Sequence, residues 1–459
     1  MAAAHDFLGN PVSTTDPALV AAVDDFVGGF LSYETRAANI LRAAAAAPDA
    51  ALVNAYAGCL FMLLESPQGP VRAAPFLAKA RAAGGANERE TATVAFLSAW
   101  IVGDVPAALR ISQAIVAGWP RDLAMLKLNQ YLAFNRGDAP GMLRVALGAA
   151  AANDDVPQMH GMLAFGYEQC HLLAEAEGAA NRALEMTTRE PWAQHALAHV
   201  MLTQGRIDEG ARFMAAASAT WTDLNSFMVT HNWWHQALFL ISQGRDAEVL
   251  AIYDTRCWAG DRDYSQDQIG AVSLLARLEL AGVDVGDRWG DVADRLARRG
   301  PDAWQPFLAL QYLYGLARAG RGEAQALMDA IRNQARIAPA HDREVWAQVA
   351  APAAEGLLAH LAGDHGLAIS RLGPVLPRMS EIGGSHAQRD LFDQILLASV
   401  LADGRWASAR QALELRRGFD PDGAPLNRTL ARVYAALDMP VQAARAQGRA
   451  EATLRRHAV

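Results

Sequence analysis

The feature that most restricts how this chain can fold is a recurring glycine followed by aspartate or arginine. The glycines of these dipeptides are Gly103, Gly137, Gly205, Gly244, Gly320, Gly363 and Gly404. They are separated by 34, 68, 39, 76, 43 and 41 residues, which are single or double units near the 34-residue tetratricopeptide period. Glycine favours the end of a helix because it readily takes the left-handed conformation. The spacing therefore predicts helical hairpins, with irregular repeats after Gly205.

The residues around these glycines also indicate paired helices. A small residue that would let two helices approach closely often follows five positions later, as at Ala108, Gly210, Ala368 and Ala409. Apolar residues recur at steps of three and four, which is typical of one helix face. We predict an all-α fold, a TPR-like α-solenoid of antiparallel helical hairpins with degenerate repeats. No linker rich in proline, glycine and serine divides the chain, so we expect a single domain over residues 1–459.

Composition and charge exclude several classes of function. The net charge of −8 argues against nucleic-acid binding, which needs a basic surface. The longest apolar stretch, Ala55–Leu64, is far shorter than the roughly 20 residues that span a bilayer, so we expect no membrane association. Three widely separated cysteines without a CxxC pair are typical of a reduced protein. We therefore expect a cytoplasmic location.

Histidine and tryptophan are concentrated where a solenoid built only for packing would not need them. Seven of the twelve histidines lie near the centre of the chain or in a second cluster: His160, His171, His195, His199, His231, His235 and His386. His195 and His199 are four residues apart, and so are His231 and His235, so each pair shares one helix face. Two such pairs on adjacent helices would bring four imidazoles to one space.

Three interpretations of these histidines remain open: core hydrogen bonding, ligand binding or catalysis, and metal binding. Zinc proteases of the zincin type need glutamate directly after the first histidine, where this chain has Ala196 and Asn232. That mechanism is excluded, and we predict no metal or other cofactor. Trp233 and Trp234 point to different sides of their helix. We therefore expect at least one of them in the core, and the other could line a pocket.

A second segment with unusual chemistry begins at Gly383-Gly384. Ser385 followed three residues later by Gln388 predicts a capping box at a helix start. A helix N-terminus beside the guanidinium of Arg389 would also hold a carboxylate or phosphate, with Asp390 orienting Arg389 or a histidine. A third segment, 254–270, is polar and long for a tetratricopeptide connection. It is either a solvated connector or a binding loop that carries Trp258 and Tyr264.

These residues resemble the tetratricopeptide repeat protein 38 family. The resemblance rests on His160-Gly161-Met162, Trp192-Ala193-Gln194-His195, His231-Asn232-Trp233-Trp234-His235, and Gly383-Gly384-Ser385 with Ala387-Gln388-Arg389-Asp390. It covers about residues 90–410, which leaves 1–90 and 411–459 as terminal capping helices. The resemblance implies a closed or tightly wound helical superhelix and little about activity.

Three positions depart from the family pattern. Leu202 stands where the family tends to have glutamate, Gly270 where it tends to have aspartate, and His386 where it tends to have asparagine. If a family site used those carboxylates, this chain has lost two of them and gained an imidazole. The loss argues against a bound metal.

Two functions from different classes follow from the sequence. In the first, an internal pocket binds, and could convert by acid–base chemistry, a small anionic or aromatic molecule. Its candidate catalytic residues are His195, His199, His231, His235 and His386. Its candidate ligand-binding residues are Arg389, Asp390, Gln388, Trp233, Trp234, His160, Trp258 and Tyr264. In the second, a non-enzymatic scaffold binds a peptide or protein on its concave face. The sequence leaves open whether there is catalysis, and it leaves open the oligomeric state, with a homodimer among the options.

Overall fold

The structure is a computed structural model that describes residues 4–458, which are almost entirely α-helical. The predicted all-α fold of helical hairpins is confirmed. The only strands among residues 4–458, β1 (Ala4–His5) and β2 (Pro11–Val12), form a short antiparallel pair. No helix of this part of the chain combines the length and apolar character needed to cross a bilayer. Backbone contacts divide the chain into two compact units, which are described separately.

The first unit consists of residues 1–196 together with 220–225. Its helices are α1 (Pro17–Leu31), α2 (Asn39–Ala46), α3 (Ala51–Met62), α4 (Gln68–Ala82), α5 (Glu88–Ile101), α6 (Val105–Gly118), α7 (Leu123–Phe134), α8 (Ala139–Ala150), α9 (Pro157–Gln169) and α10 (Leu173–Met186). From α3 onward, each pair of consecutive helices packs as a hairpin. Helix α11 (Pro191–Thr203) begins in this unit and ends in the second.

The second unit consists of residues 197–219 and 226–459. Its helices after α11 are α12 (Ile207–Ala217), α13 (Ser226–Gln243), α14 (Asp246–Ile252), α15 (Ser265–Leu280), α16 (Arg288–Arg298), α17 (Pro306–Arg318), α18 (Glu323–Ile337), α19 (Ala340–Val345), α20 (Ala351–Leu361), α21 (His365–Leu372), α22 (His386–Ala402), α23 (Trp406–Arg416), α24 (Ala424–Ala436) and α25 (Pro440–Arg456). Two π-helical turns, Tyr253–Cys257 and Trp346–Ala350, extend α14 and α19.

The helix starts reproduce the period predicted from the glycines. Helices α5, α7, α9, α11 and α13 begin at residues 88, 123, 157, 191 and 226, so these hairpins repeat every 34 or 35 residues. Helices α15 and α17 begin at 265 and 306, so the later steps widen to 39 and 41 residues. The prediction of a tetratricopeptide-like array with irregular later repeats is confirmed.

All seven glycines of the sequence rhythm take the left-handed conformation, with φ between 68° and 78°. The double step between Gly137 and Gly205 has His171 at its midpoint, and its φ is 57°. A histidine can take this conformation, although less easily than glycine. His171 is therefore the turn residue between α9 and α10. Its position in the chain therefore follows from the repeat.

The predicted small residues lie where paired helices meet. Ala108, Ala368 and Ala409 are fully buried. At Gly210 on α12, an added Cβ would overlap the ring of Phe239 on α13, and that ring is itself fully buried. The fifth position after the turn glycine is therefore restricted in size by the neighbouring helix.

Candidate functional site

Three of the predicted histidines come together in the second unit. His199 lies on α11, and His231 and His235 lie one turn apart on α13. The ring centroids of His199 and His235 are 4.5 Å apart, and those of His231 and His235 are 4.8 Å apart. One nitrogen of each of the three rings lies within 4.8 Å of those of the other two. We call these three residues the histidine cluster.

The histidine cluster is buried. His199 and His235 are fully buried, and His231 is 9 % exposed. Burial, together with a smaller effect of the neighbouring His199, lowers the pKa of His231 to about 3. His231 is therefore neutral at physiological pH. A pKa of about 3 lies far below the range in which an imidazole is an effective acid–base catalyst.

The two tryptophans beside the cluster have different environments. Trp234 is 1 % exposed, and its indole stacks on His231 at 5.4 Å between centroids with an interplanar angle of 8°. Trp233 is half-buried, and the guanidinium carbon of Arg256 lies 5.1 Å from the centroid of its indole ring. The prediction that at least one of the two belongs to the core is confirmed.

His386 lies at the edge of the histidine cluster. It is the first residue of α22. The predicted capping box is confirmed, because Ser385 and Gln388 each accept a hydrogen bond from the other's backbone N–H, at 3.2 and 2.9 Å. The Nε2 atom of His386 is 3.1 Å from Oγ1 of Thr203, and its ring meets that of His199 edge-on at 5.2 Å.

Arg389 and Asp390 belong to two different polar groups. Nη1 of Arg389 donates to the carbonyl oxygen of Gly384, at the start of its own helix. Asp390 accepts hydrogen bonds from Arg277 at 3.0 Å and from Arg416 at 3.1 Å. Burial would raise the pKa of Asp390, but Arg416 and Arg277 hold it well below its usual range. The structure thus places the half-buried Asp390 in ion pairs with two arginines, which sequence reasoning missed.

The segment expected to be one long loop is mostly helical. A π-helical turn, Tyr253–Cys257, extends α14, and α15 begins at Ser265, so the connection is much shorter than predicted. Trp258 is 3 % exposed, and its indole N–H donates to Asp291 at 2.6 Å. It borders an open cavity of about 600 Å³. Tyr264 is the last residue before α15.

An open groove lies on another surface of the second unit. It has a volume of about 590 Å³ and is lined by residues of α12, α13, α14 and the π-helical turn, among them Trp233, Leu240, Ile252, Arg212 and Arg256. We call it the Trp233 groove. Its lining contains none of the clustered histidines. The structure therefore gives no support to one chamber that joins Trp233, Trp258 and the histidines.

Two predicted residues lie in the first unit. Nε2 of His160 is 3.0 Å from the carbonyl oxygen of Asp154. The ring of His195 stacks on Trp192, with centroids 4.3 Å apart and an interplanar angle of 16°. Both histidines are at least nine-tenths buried.

Sequence reasoning missed a buried lysine in the first unit. Lys127 is 7 % exposed, and its ammonium donates to the carbonyl oxygens of Phe30 at 2.6 Å and Leu31 at 2.9 Å. These are the last carbonyls of α1, so the ammonium satisfies a helix end. Burial lowers the pKa of Lys127, and the charge of Glu190 opposes that shift. The sequence contains only two lysines, Lys79 and Lys127, and this scarcity was the one signal that could have drawn attention to Lys127.

Comparison with known proteins gives only distant similarities. No protein-family model matches the chain. One similar solved structure is the Naa15/Naa10 complex bound to HypK, with a TM-score of 0.24 and 13 % sequence identity over 80 % of this chain and 64 % of the other. Another is the TPR domain of P58(IPK), with a TM-score of 0.22 and 12 % identity over 81 % of this chain and 96 % of the other. A third is the Cut9–Hcn1 hetero-tetramer of the APC/C, with a TM-score of 0.30 and 11 % identity over 96 % of this chain and 87 % of the other. The chain spans less than two thirds of the first of these. At such TM-scores the similarities carry no functional argument.

Proposed function

We propose that this chain is a non-enzymatic, tetratricopeptide-like scaffold that binds an acidic peptide segment of a partner protein in the Trp233 groove. The observation that carries the proposal is the combination of an apolar floor and two exposed arginines, Arg212 and Arg256, whose side chains form no ion pair within residues 4–458. Leu240 and Ile252 contribute to the floor beside Trp233. A groove of about 590 Å³ is large enough for a few side chains of an extended peptide.

The charge of the groove favours an acidic partner. Arg245 is paired with Glu248 at 2.7 Å, and Asp208 is paired with Arg456 at 3.2 Å. The side chains of the two remaining arginines, Arg212 and Arg256, are both exposed. Within residues 4–458 neither side chain forms a hydrogen bond or ion pair. Arg212 does lie close enough to Glu209 to lower its pKa, but Glu209 is already paired with Arg206. The lining therefore carries positive charge that a carboxylate of a bound peptide would neutralise.

The residue types in the groove also suit protein recognition. Tryptophan and arginine are the side chains most enriched among residues that dominate binding energy. Arg256 lies over the ring of Trp233, which holds its guanidinium at the mouth of the groove and keeps it available to a carboxylate. An apolar peptide side chain on Trp233 and an acidic one on Arg256 would use both features.

Peptide binding by the full chain tests this proposal. Fluorescence anisotropy would measure three labelled peptide libraries of equal length and equal apolar content, one acidic, one neutral and one basic. We expect the acidic library to bind most tightly. Trp233→Ala and Arg256→Glu should each weaken that binding by about 10-fold or more, which corresponds to about 1.4 kcal/mol.

Arg298→Glu provides the matched control. Arg298 is an exposed arginine on α16 outside the groove lining, and its reversal changes net charge by the same amount. If the three libraries bind equally, or if Arg298→Glu weakens binding as much as Arg256→Glu, the Trp233 groove is not the binding site.

A further inference from the structure

We propose that His199, His231 and His235 form a zinc-binding site in the second unit. The site is independent of the Trp233 groove, because none of its ligands lines that groove. The absence of a zincin glutamate and of nearby carboxylates led to the prediction of no metal. The structure does place a third imidazole, from another helix, beside the pair on α13, as the spacing of the two histidine pairs indicated.

The spacing of the nitrogens is compatible with one ion. Zinc–nitrogen bonds of about 2.0–2.1 Å in a tetrahedral arrangement place the ligand nitrogens about 3.4 Å apart. One nitrogen from each ring of the histidine cluster already lies within 4.8 Å of the others. With the ring of His231 held by its stacking on Trp234, rotations of the imidazoles of His199 and His235 that move each nitrogen by about an ångström would close most of the remaining gap.

The helical framework positions these ligands for joint binding. His231 and His235 are separated by one helical turn on α13, the spacing at which two histidines bind the same metal. Trp234 stacks on His231, and the ring of His235 meets His231 at nearly a right angle, 88°. The neighbouring indole therefore restricts the ring of His231.

The chemistry of the donor set selects the ion. Three imidazoles and no carboxylate suit zinc and other nitrogen-preferring transition metals, and they exclude magnesium and calcium, which prefer oxygen. Three protein ligands leave a fourth position for water or another donor, as in three-histidine zinc sites.

Cobalt and zinc titration of the full chain tests the site. Protein freed of metal by a chelator and dialysis would be titrated with Co²⁺, followed by visible absorption, and Zn²⁺ would then be added in competition. We expect one equivalent of Co²⁺ to give the intense absorption of a four-coordinate ion, and one equivalent of Zn²⁺ to abolish it. His199→Gln, His231→Gln and His235→Gln should each lower affinity by more than about 100-fold, since even outer-shell partners of a metal change affinity by about 10- to 100-fold.

His360→Gln is the matched control. His360 is a partly buried histidine of the same unit whose Nδ1 lies 2.8 Å from Oγ of Ser399, and its loss should leave the titration unchanged. Circular dichroism checks that each variant is folded. The titration of the wild type tests the site even if a variant fails to fold. Absence of the absorption in folded wild-type protein, or equal loss in His360→Gln, would overturn the assignment.

Discussion

The close approach of α12 and α13 makes a specific prediction about Gly210. Replacing it with alanine adds one methyl group, and a Cβ at this position would overlap the ring of Phe239. That ring is fully buried, so it cannot move into solvent. Gly210→Ala therefore tests whether the two helices are as close in solution as they are in the structure.

Two opposing effects set the magnitude. Alanine is about 1 kcal/mol more favourable than glycine in a helix interior, whereas forcing an extra carbon into a packed core costs about 1–3 kcal/mol. We therefore expect the free energy of unfolding to fall by up to about 2 kcal/mol. Gly270→Ala on α15, where an added Cβ meets no atom within 4 Å, has only the favourable effect and should raise it by about 1 kcal/mol.

Urea denaturation followed by far-ultraviolet circular dichroism would measure both variants. A third measurement uses Phe239→Leu, which makes room beside Gly210. In that background Gly210→Ala should change sign and become stabilising. If Gly210→Ala instead stabilises the wild-type chain as much as Gly270→Ala does, the proposed restriction at the fifth position is wrong.

Three further predictions concern single residues. His171→Gly should raise the melting temperature, by up to the equivalent of about 1–2 kcal/mol, because it relieves a left-handed conformation at a non-glycine residue; a lower melting temperature would contradict this. The pKa of His231 is about 3 in the folded chain, whereas an unperturbed histidine has a pKa of 6.5. Between these two pH values the unfolded chain therefore binds more protons than the folded chain. The free energy of unfolding then falls as the pH drops below 6.5. In the presence of a chelator, the free energy of unfolding of the wild type should fall by about 2 kcal/mol more than that of His231→Gln between pH 7 and pH 5. Equal losses in the two proteins would refute this. Asp390→Asn leaves the buried Arg277 without its carboxylate. Because Asp390 itself is partly exposed, we expect a cost of about 1.5–3 kcal/mol, whereas Asp403→Asn at an exposed ion pair should cost less than about 1 kcal/mol. Similar urea midpoints for the two variants would show that the Asp390 pair contributes no more than an exposed one.

The sequence was most informative where structure depends on local chemistry. The turn glycines, the small residue five positions later and the Ser385–Gln388 cap were all predictable, because each depends on residues a few positions apart. His171 follows the same spacing rule, with a histidine at the place of a turn glycine. Its place was fixed by two intervals of 34 residues, although its chemistry suggested another role.

Long-range contacts were not predictable from the sequence. Asp390 and Arg277 are 113 residues apart along the chain, and nothing in either neighbourhood marks the other. The polar segment that contains Arg256 was interpreted as a loop. Because it forms a π-helical turn, it instead places Arg256 over Trp233 in the groove. The approach of His199 to the pair on α13 is an exception, because the spacing of the histidines and the order of the helices were enough to predict it.

Recognition of acidic peptides by the Trp233 groove can be examined without prior choice of sequence by an unbiased selection. Random peptides displayed on phage would be selected on the immobilised full chain, with the Arg212→Glu, Arg256→Glu double variant as the counter-target. We expect the enriched peptides to be net acidic, to carry an apolar side chain and to bind the wild type but not the double variant. Enrichment of peptides without a charge bias, or equal binding to both proteins, would contradict it.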